Sequence, residues 1–387
     1  MKKTLIITEW APPMNEGSPI MINNLFRYFP KGSYCVLMDT LKGNIRRVDP
    51  NYWLNCPYYF FNLPLFCGGN RLIGIYYTFL EFLLLPFLVL KGARVVKKEK
   101  IDNILAPTNN RGFFLSAYFV HKITKIPLFL LMFDLFEEVQ LSRIKIPFCR
   151  WIERKMFKTA SKVFVTTEKM GEYYRKKYNI DPEVIPHSVE NPSTYAVRKS
   201  ELRRVYNIVY TGSIYGSQYD CIVRLINAVN SLPNINLYLY TTPRQGDLLA
   251  KNAKITKKII ISYADRKDVA EIQRNADVLF LPYTFNASYI YKLVVENQAP
   301  GKIAEYLVSG VPILLHAPAY SYLHQYNRKN DYAYSVTEPS EEALAEGILR
   351  LLKDRELREK IVKNAFMTAK LHDSKVISER LKNCLLE

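Results

Sequence analysis

The chain alternates short apolar strands with amphipathic helices, and this alternation constrains its fold more than any other feature. Lys3–Thr8 is a short apolar run rich in β-branched residues, Pro19–Phe29 carries apolar side chains at helical spacing, and Ser33–Met38 is again strand-like. Such fully apolar strands are typical of parallel sheets covered by helices. The alternation starts anew at Asn207–Thr211. We therefore predict an α/β protein of two doubly wound, Rossmann-like domains that face each other across a cleft.

A polar stretch without periodicity divides the chain into its predicted domains. Residues 1–190 form the N-terminal domain, residues 191–206 the linker and residues 207–370 the C-terminal domain. The last helix, within residues 371–387, has no place in the second alternation, so we expect it to pack back onto the first domain. A chain of 387 residues is long enough for two domains of ordinary size.

Charge and cysteine content narrow the possible partners. With 54 Lys and Arg against 36 Asp and Glu, the formal net charge is +18, which favours nucleic acid, anionic lipid or phosphorylated small molecules. The 6 cysteines show neither CxxC spacing nor the density of a disulfide framework. The first apolar run ends at Glu9, too early for a signal-peptide core. We expect a cytoplasmic protein, with peripheral contact at the inner face of an anionic membrane left open.

The segment Leu72–Leu90 is the most apolar in the chain and is followed by a cluster of basic residues. Its length approaches that of a membrane span, but Glu81 and Pro86 stand inside it. We favour a core helix of the first domain. The alternatives are an interfacial helix that dips into lipid and, third, a transmembrane helix.

The sharpest candidate site is the segment Gln298–His316, which reads QAPGKIAEYLVSGVPILLH. Pro300 and Gly301 precede a predicted helix, whose free N–H groups can bind a phosphate. Lys302 adds a positive charge, and Glu305 shares its helix face, where a carboxylate can accept both hydroxyls of a ribose. The simpler alternative is an ordinary helix with a Lys302–Glu305 ion pair and a glycine stop.

This segment also resembles a known family. It contains the pattern P-x-K-x-x-E-Y-L-x-x-G-x-P, which resembles the nucleotide-binding signature of GT-B glycosyltransferases, particularly the family 4-like bacterial enzymes of the glycosyl transferase group 1 type. Further resembling pieces follow in the expected order, and these are Trp10–Pro13 with Gly17 and Ser18, Phe133–Glu138, Glu153–Thr166, Val184–Val189 and Tyr210–Ser213. The resemblance spans nearly the whole chain.

The resemblance implies an enzyme that moves a sugar from a UDP, GDP or dTDP sugar to a lipid-linked or polysaccharide acceptor in cell-surface glycan synthesis. It implies a retaining hexosyltransferase, although retention and inversion both stay open from the residues. The implied donor-binding residues are Gly212, Ser213, Glu296, Asn297, Pro300, Gly301, Lys302 and Glu305, with Gly17 and Ser18 in an acceptor or diphosphate loop. The family usually carries two glutamates separated by seven residues, whereas here the earlier position is Asn297, beside Glu296.

Two carboxylates are candidates for catalysis. Asp134 follows the predicted strand Pro127–Phe133, so it would face the cleft and could hold or deprotonate an acceptor hydroxyl. A helix N-cap is an equal alternative for Asp134. Glu9 also follows a strand and could touch either ligand. Because His and acidic residues show no metal-ligand spacing, we predict no metal and no cofactor, with the diphosphate charge met by Lys302 and backbone N–H groups.

Other functions remain possible from the sequence. A nucleotide-sugar epimerase on the same fold would need no acceptor and no membrane. From a different class, the basic charge and many aromatic residues allow a nucleic-acid-binding protein, although no recognition motif supports it and we expect no nucleic-acid partner. A catalytically dead scaffold that keeps the fold is the last alternative.

Overall fold

The computed structural model describes residues 2–14, 17–40, 49–62, 71–108, 110–138, 146–190, 192, 204–286 and 289–386, without the side chains of residues 50, 71–78, 146 and 289–291. The chain divides into two compact units. The first comprises Met1–Pro186 and Ser374–Glu387, and the second comprises His187–Asp373. The first boundary thus lies at Pro186 rather than at the expected residue 190. Most of the expected linker, residues 191 and 193–203, lies outside the described residues.

The first unit is built on a parallel sheet of seven strands. They are β1 (Thr4–Ile7), β2 (Tyr34–Asp39), β3 (Tyr58–Phe61), β4 (Asn103–Pro107), β5 (Leu128–Met132), β6 (Lys162–Val165) and β7 (Glu183–Val184). Their order is β3-β2-β1-β4-β5-β6-β7, with every neighbouring pair parallel. The winding reverses between β1 and β4, and ligands of such sheets bind outside the carboxyl ends at this reversal.

The helices of the first unit connect these strands. They are α1 (Ser18–Phe26), α2 (Arg71–Glu99), α3 (Arg111–Thr124), α4 (Ile146–Thr159) and α5 (Glu168–Tyr178). Local capping sets several of the boundaries. Asn110, for example, accepts hydrogen bonds from the backbone N–H groups of Gly112 and Phe113 at 2.7 and 3.3 Å, which satisfies free donors at the start of α3.

The second unit is built on a parallel sheet of six strands. They are β8 (Tyr206–Thr211), β9 (Ile235–Tyr240), β10 (Ile259–Ser262), β11 (Val278–Pro282), β12 (Ile313–His316) and β13 (Tyr334–Val336). Their order is β10-β9-β8-β11-β12-β13, so the winding reverses between β8 and β11. The helices are α6 (Tyr219–Ser231), α7 (Pro243–Asn252), α8 (Arg266–Asn275), α9 (Tyr289–Asn297), α10 (Lys302–Leu307), α11 (Tyr322–Asn330), α12 (Glu341–Lys353) and α13 (Arg355–Ala369). Two doubly wound α/β sheets are therefore confirmed.

The final helix, α14 (Ser374–Leu386), belongs to the first unit. Its buried side chains Ile377, Leu381 and Leu385 join the apolar core that also contains residues of α1. The Ser378 hydroxyl donates to the carbonyl of Leu25 at 2.6 Å, which ties α14 to α1. The chain therefore enters the second unit after Pro186 and returns to the first at Ser374.

Helix α2 contains the apolar segment Leu72–Leu90 and continues through Pro86. One part of its surface is buried, including Leu85 and Leu88. Another part is exposed, and Phe87 retains 60% of its accessible surface. The favoured expectation, a core helix, accounts only for the buried face. Among the described residues, no helix has both the length and the apolarity of a membrane span.

Candidate functional site

The turn after β8 in the second unit approaches the start of α10 closely. Gly212 has a φ of +118°, a conformation that glycine tolerates and other residues rarely adopt. A Cβ at this position would lie 3.1 Å from Nζ of Lys302. The Tyr210 hydroxyl donates to the carbonyl of Ser213 at 2.6 Å and braces the turn. The backbone conformation and the available space therefore both favour glycine at position 212.

The Lys302 ammonium is buried beside an aromatic ring. Its Nζ is inaccessible to solvent and makes no hydrogen bond to any described residue. It lies 3.7 Å from the centroid of the Tyr210 ring, a cation–π contact that offsets part of the lost hydration. Burial lowers the pKa of the Lys302 ammonium to about 7, against the opposing effect of the Glu305 carboxylate. An unpaired buried charge is costly, so this arrangement favours an anion beside Lys302.

Glu305 pairs with Arg266 of α8 rather than with Lys302. Its Oε1 lies 2.5 Å from the Arg266 guanidinium, and its Oε2 accepts a hydrogen bond from Gln273 at 3.3 Å. The simpler alternative of a Lys302–Glu305 ion pair is therefore wrong. A carboxylate offers about four lone-pair sites, so Glu305 retains capacity for further hydroxyl donors.

Two further polar contacts join α8, β8 and α10 around this carboxylate. Gln273 donates to Oγ1 of Thr211 at 2.9 Å, and the backbone N–H of Thr211 donates to the Tyr306 hydroxyl at 3.1 Å. Tyr306 is fully buried, so it anchors the helix while Glu305 next to it stays accessible. The sequence analysis missed Arg266 and Gln273, and it gave Tyr210 no role at the site. The position of Arg266 shortly after β10, at the carboxyl end of a strand, is the signal that could have found it.

The other predicted donor residues contact residues that are close to them in the sequence. Glu296 lies 3.7 Å from Lys292 in a partly exposed ion pair one turn away in α9. The Asn297 amide donates to the carbonyl of Leu293 at 2.8 Å within the same helix. Pro300 and Gly301 form the turn into α10, and the carbonyl of Pro300 accepts a backbone hydrogen bond at 3.1 Å. The contacts of Glu296 and Asn297 are structural, and their part in donor binding stays a prediction.

Asp134 follows β5 in the first unit and is exposed. The preceding backbone is held in place because the N–H of Phe133 donates to Oγ1 of Thr108 at 2.9 Å. Residues 135–138 form turns and no α-helix, so the helix N-cap alternative is not supported within these residues. Loss of hydration among the surrounding protein atoms raises the pKa of the Asp134 carboxyl to about 6. It remains largely ionised at neutral pH.

Glu9 follows β1, at the reversal of the first sheet, and is almost fully buried, with 4% of its surface accessible. Burial first, and then the nearby charges of Asp39 and Glu81, raise the pKa of its carboxyl to about 8, against a hydrogen bond with Asn110. Glu9 is therefore mostly protonated at pH 7. In that state it can donate a hydrogen bond or a proton, but it cannot take up a proton as a general base.

The predicted loop before α1 is described only in part. Gly17 has a φ of +58° and precedes Ser18, the first residue of α1, without a side-chain capping bond. Asn15 and Glu16 lie outside the described residues. A role of Gly17 and Ser18 in binding an acceptor or a diphosphate stays a prediction.

Three glutamates of the first unit converge on one ammonium. Lys177 Nζ lies 2.9, 2.6 and 2.7 Å from carboxylate oxygens of Glu137, Glu138 and Glu153 respectively. These three acids have ligand atoms within 4.8 Å of one another, a geometry that could hold a metal ion. The Lys177 ammonium already supplies a cation at this position. The expectation that the enzyme needs no metal stays a prediction.

Comparisons with known proteins agree with this architecture. Residues 217–367 match the family model of glycosyl transferases group 1, whereas no curated protein matches the sequence. HepE (Alr3699) of Anabaena, crystallised with UDP, is 13% identical and covers 99% of both chains with a TM-score of 0.70. An α,α-trehalose 6-phosphate synthase from Burkholderia multivorans is 11% identical over 100% of this chain and 96% of its own, with a TM-score of 0.68.

A third structure, MnaA of S. aureus with UDP, is 12% identical over 98% of this chain and 95% of its own, with a TM-score of 0.59. At these identities the structural likeness shows the fold alone. The paired parallel sheets and these neighbours define a protein of the GT-B fold. The match to glycosyl transferases group 1 lies within the second unit.

Proposed function

We propose that the protein transfers a sugar from a nucleoside diphosphate sugar, with UDP as the first candidate nucleotide, to a lipid-linked acceptor in glycan synthesis. The observation that carries the donor half is the buried Lys302 ammonium, which has no acceptor among the described residues and lies beside Gly212 and Glu305. The presence of UDP in two structures of the same fold supports the choice of nucleotide.

The roles of the donor residues follow from their chemistry. The diphosphate would lie beside Lys302 and the backbone of Gly212. Because glycine has no side chain, a ligand could approach the backbone closely there. Glu305 would accept the ribose hydroxyls while Arg266 holds its other oxygen. When the sugar–phosphate bond breaks, negative charge grows on the leaving diphosphate. A positioned ammonium stabilises that charge most strongly where water is excluded, so Lys302 would lower the barrier without a metal.

The acceptor half of the proposal uses Asp134. Its exposed carboxylate, with a pKa of about 6, is ionised at neutral pH and can orient or deprotonate a hydroxyl. Glu9 is protonated under the same conditions and would act as a hydrogen-bond donor to an acceptor oxygen. The two acids would therefore have different roles. Transfer of a hexosyl group with retention of configuration is the form of the reaction that we propose.

The exposed part of α2 supports a membrane-bound acceptor. Its large apolar side chains Phe79, Leu83 and Phe87 have 64%, 55% and 60% of their surfaces accessible. The C-terminal part of the same helix carries Lys91, Arg94, Lys97 and Lys98. Apolar side chains beside cations match the boundary between acyl chains and anionic headgroups. We propose peripheral contact with the inner face of an anionic membrane through this surface.

A nucleotide screen tests the donor assignment. Purified protein is titrated calorimetrically with UDP, GDP, dTDP and CMP, and a Lys302→Ala variant serves as the comparison. We expect one nucleoside diphosphate to bind the wild type and to lose at least tenfold in affinity with the variant. The proposal fails if no nucleotide binds, or if Lys302→Ala binds as well as the wild type.

Product analysis separates transfer from epimerisation. The nucleotide sugar that binds is incubated alone and with membrane lipid extract, and the products are followed by NMR and mass spectrometry. A sugar–lipid product formed only with the extract supports transfer. An epimerised nucleotide sugar formed without any acceptor would instead favour the epimerase alternative.

Vesicle sedimentation tests the membrane contact. Wild type is expected to sediment with vesicles containing phosphatidylglycerol and much less with phosphatidylcholine alone, because the basic residues of α2 need anionic headgroups. Leu83→Ser with Phe87→Ser should reduce sedimentation. Leu248→Ser, an equally exposed site in α7, is the control, with 54% of its surface accessible. Equal binding by both variants would contradict the assigned surface.

A further inference from the structure

The turn into Lys302 is braced by a histidine that the donor site does not otherwise use. A Cβ built at Gly301 would lie 3.4 Å from Nδ1 and 3.5 Å from Cε1 of His187, so the imidazole ring packs against this glycine. The ring also hydrogen-bonds the backbone of Ala299. Between these two contacts stands Pro300, which has no N–H to fix the turn by itself.

The backbone of His187 is held in turn by His372. Nδ1 of His372 lies 2.6 Å from the carbonyl oxygen of His187, which can only accept a hydrogen bond, so Nδ1 carries the proton. Nε2 of the same ring lies 3.0 Å from the Tyr326 hydroxyl. The backbone N–H of Val189 donates to the carbonyl of His372 at 2.9 Å. The segment around His187 therefore has fixed partners on both its backbone and its ring.

The electrostatics of His187 fit a neutral bracing group. Burial, followed by the effect of His372, lowers the pKa of its imidazole to about 4, so the ring is uncharged at pH 7. A charged ring next to Gly301 would add a second cation beside Lys302. The neutral ring instead supplies packing and one hydrogen bond to the turn, while Lys302 remains the cation of the site.

We propose that His187 is a positioning residue of the donor site. It fixes the turn Ala299–Gly301 and thereby holds Lys302 next to Gly212. The inference rests on the proposed donor function. His187 acts through Lys302, so its loss raises the dissociation constant for nucleotide and the KM for the donor. It leaves the KM for the acceptor unchanged.

The test compares histidine variants of the full-length protein. We expect His187→Ala to weaken binding of the nucleotide identified for the wild type several-fold and to raise the donor KM in parallel. His187→Asn, which can still donate a hydrogen bond, should recover part of the affinity. His324→Ala is the matched control, because its ring contacts the Ser335 hydroxyl at 2.8 Å and takes part in none of the donor-site contacts described above. It should bind nucleotide as the wild type does.

A double-variant cycle decides whether His187 acts through Lys302. In a Lys302→Ala background, adding His187→Ala should cause little further loss of affinity. Full additivity would overturn the inference, as would unchanged affinity in His187→Ala or an equal rise in the acceptor KM. If His187→Ala does not fold, the same comparison with His187→Asn decides. Failure of the wild type to bind any nucleotide would instead contradict the proposed function.

Discussion

Each unit buries one ionisable side chain at the carboxyl end of its sheet, an acid in the first unit and a base in the second. In the first unit, Glu9 lies near the carboxylates of Asp39 and Glu81, and its pKa rises to about 8. In the second, the buried Lys302 has a pKa lowered to about 7. Burial disfavours the charged form of both groups, and it shifts the two pKa values in opposite directions towards neutrality. The first unit thus offers a neutral acid and the second an ammonium that gains from a bound anion.

Asp134 separates catalysis from binding most sharply. Asp134→Asn removes the ionised carboxylate but keeps its size, so we expect turnover to fall by roughly 10²–10⁴-fold. Nucleotide affinity should be unchanged, because the donor residues belong to the second unit. Steady-state kinetics and calorimetry measure both, with the exposed Asp181→Asn as a control. Equal losses of turnover and affinity would make Asp134 a structural residue.

Glu305 tests the donor end of the second unit. Glu305→Ala removes a charged hydrogen-bond acceptor, which should weaken nucleotide binding by about 1.5–3 kcal/mol. Glu296→Ala removes a glutamate that already has an ion pair within α9, so we expect a much smaller change. Calorimetric titration of both variants checks this difference. If Glu296→Ala has the larger effect, the donor site extends along α9 instead.

The pKa of Lys302 predicts a pH dependence of binding. A bound diphosphate favours the charged ammonium, so affinity should fall as the pH rises above about 7, by at most about tenfold per pH unit. Titrations with UDP between pH 6 and pH 9 measure the slope. Lys302→Met should bind weakly, with little dependence on pH in this range. A wild-type affinity that stays constant up to pH 9 would place the lysine pKa well above this value.

Glu9 predicts an effect on stability rather than on binding or turnover. Its pKa is about 8 in the folded protein and 4.5 in a free side chain. Since the folded state binds the extra proton, this contribution is fully present below pH 4.5 and is lost as the pH rises through 8. The loss is on the order of 5 kcal/mol. Glu9→Gln should flatten the fall in unfolding free energy between pH 5 and pH 8 in urea titrations. An unchanged slope would show that Glu9 is already ionised.

The sequence predicts the two parallel sheets well, because they depend on local patterns of apolar residues. Helix α9 was missed, because Tyr289–Asn297 is rich in residues that favour strands and tertiary packing decides its conformation. The side chains that contact Lys302 and Glu305 could also not be predicted from the sequence. Lys302 contacts Tyr210 and Glu305 contacts Arg266, and in both cases the two residues are distant along the chain. The spacing of residues in a sequence does not show which of several cations will pair with a given carboxylate.

The return of α14 to the first unit has a consequence for synthesis. Ile377, Leu381 and Leu385 complete a core whose other members are made before residue 187. During translation, the whole second unit emerges before these three side chains do. Until then the apolar side chains of α1 that share this core lack three of their partners, and we expect an apolar groove there. A chaperone or a membrane surface could occupy this groove while the ribosome completes the second unit.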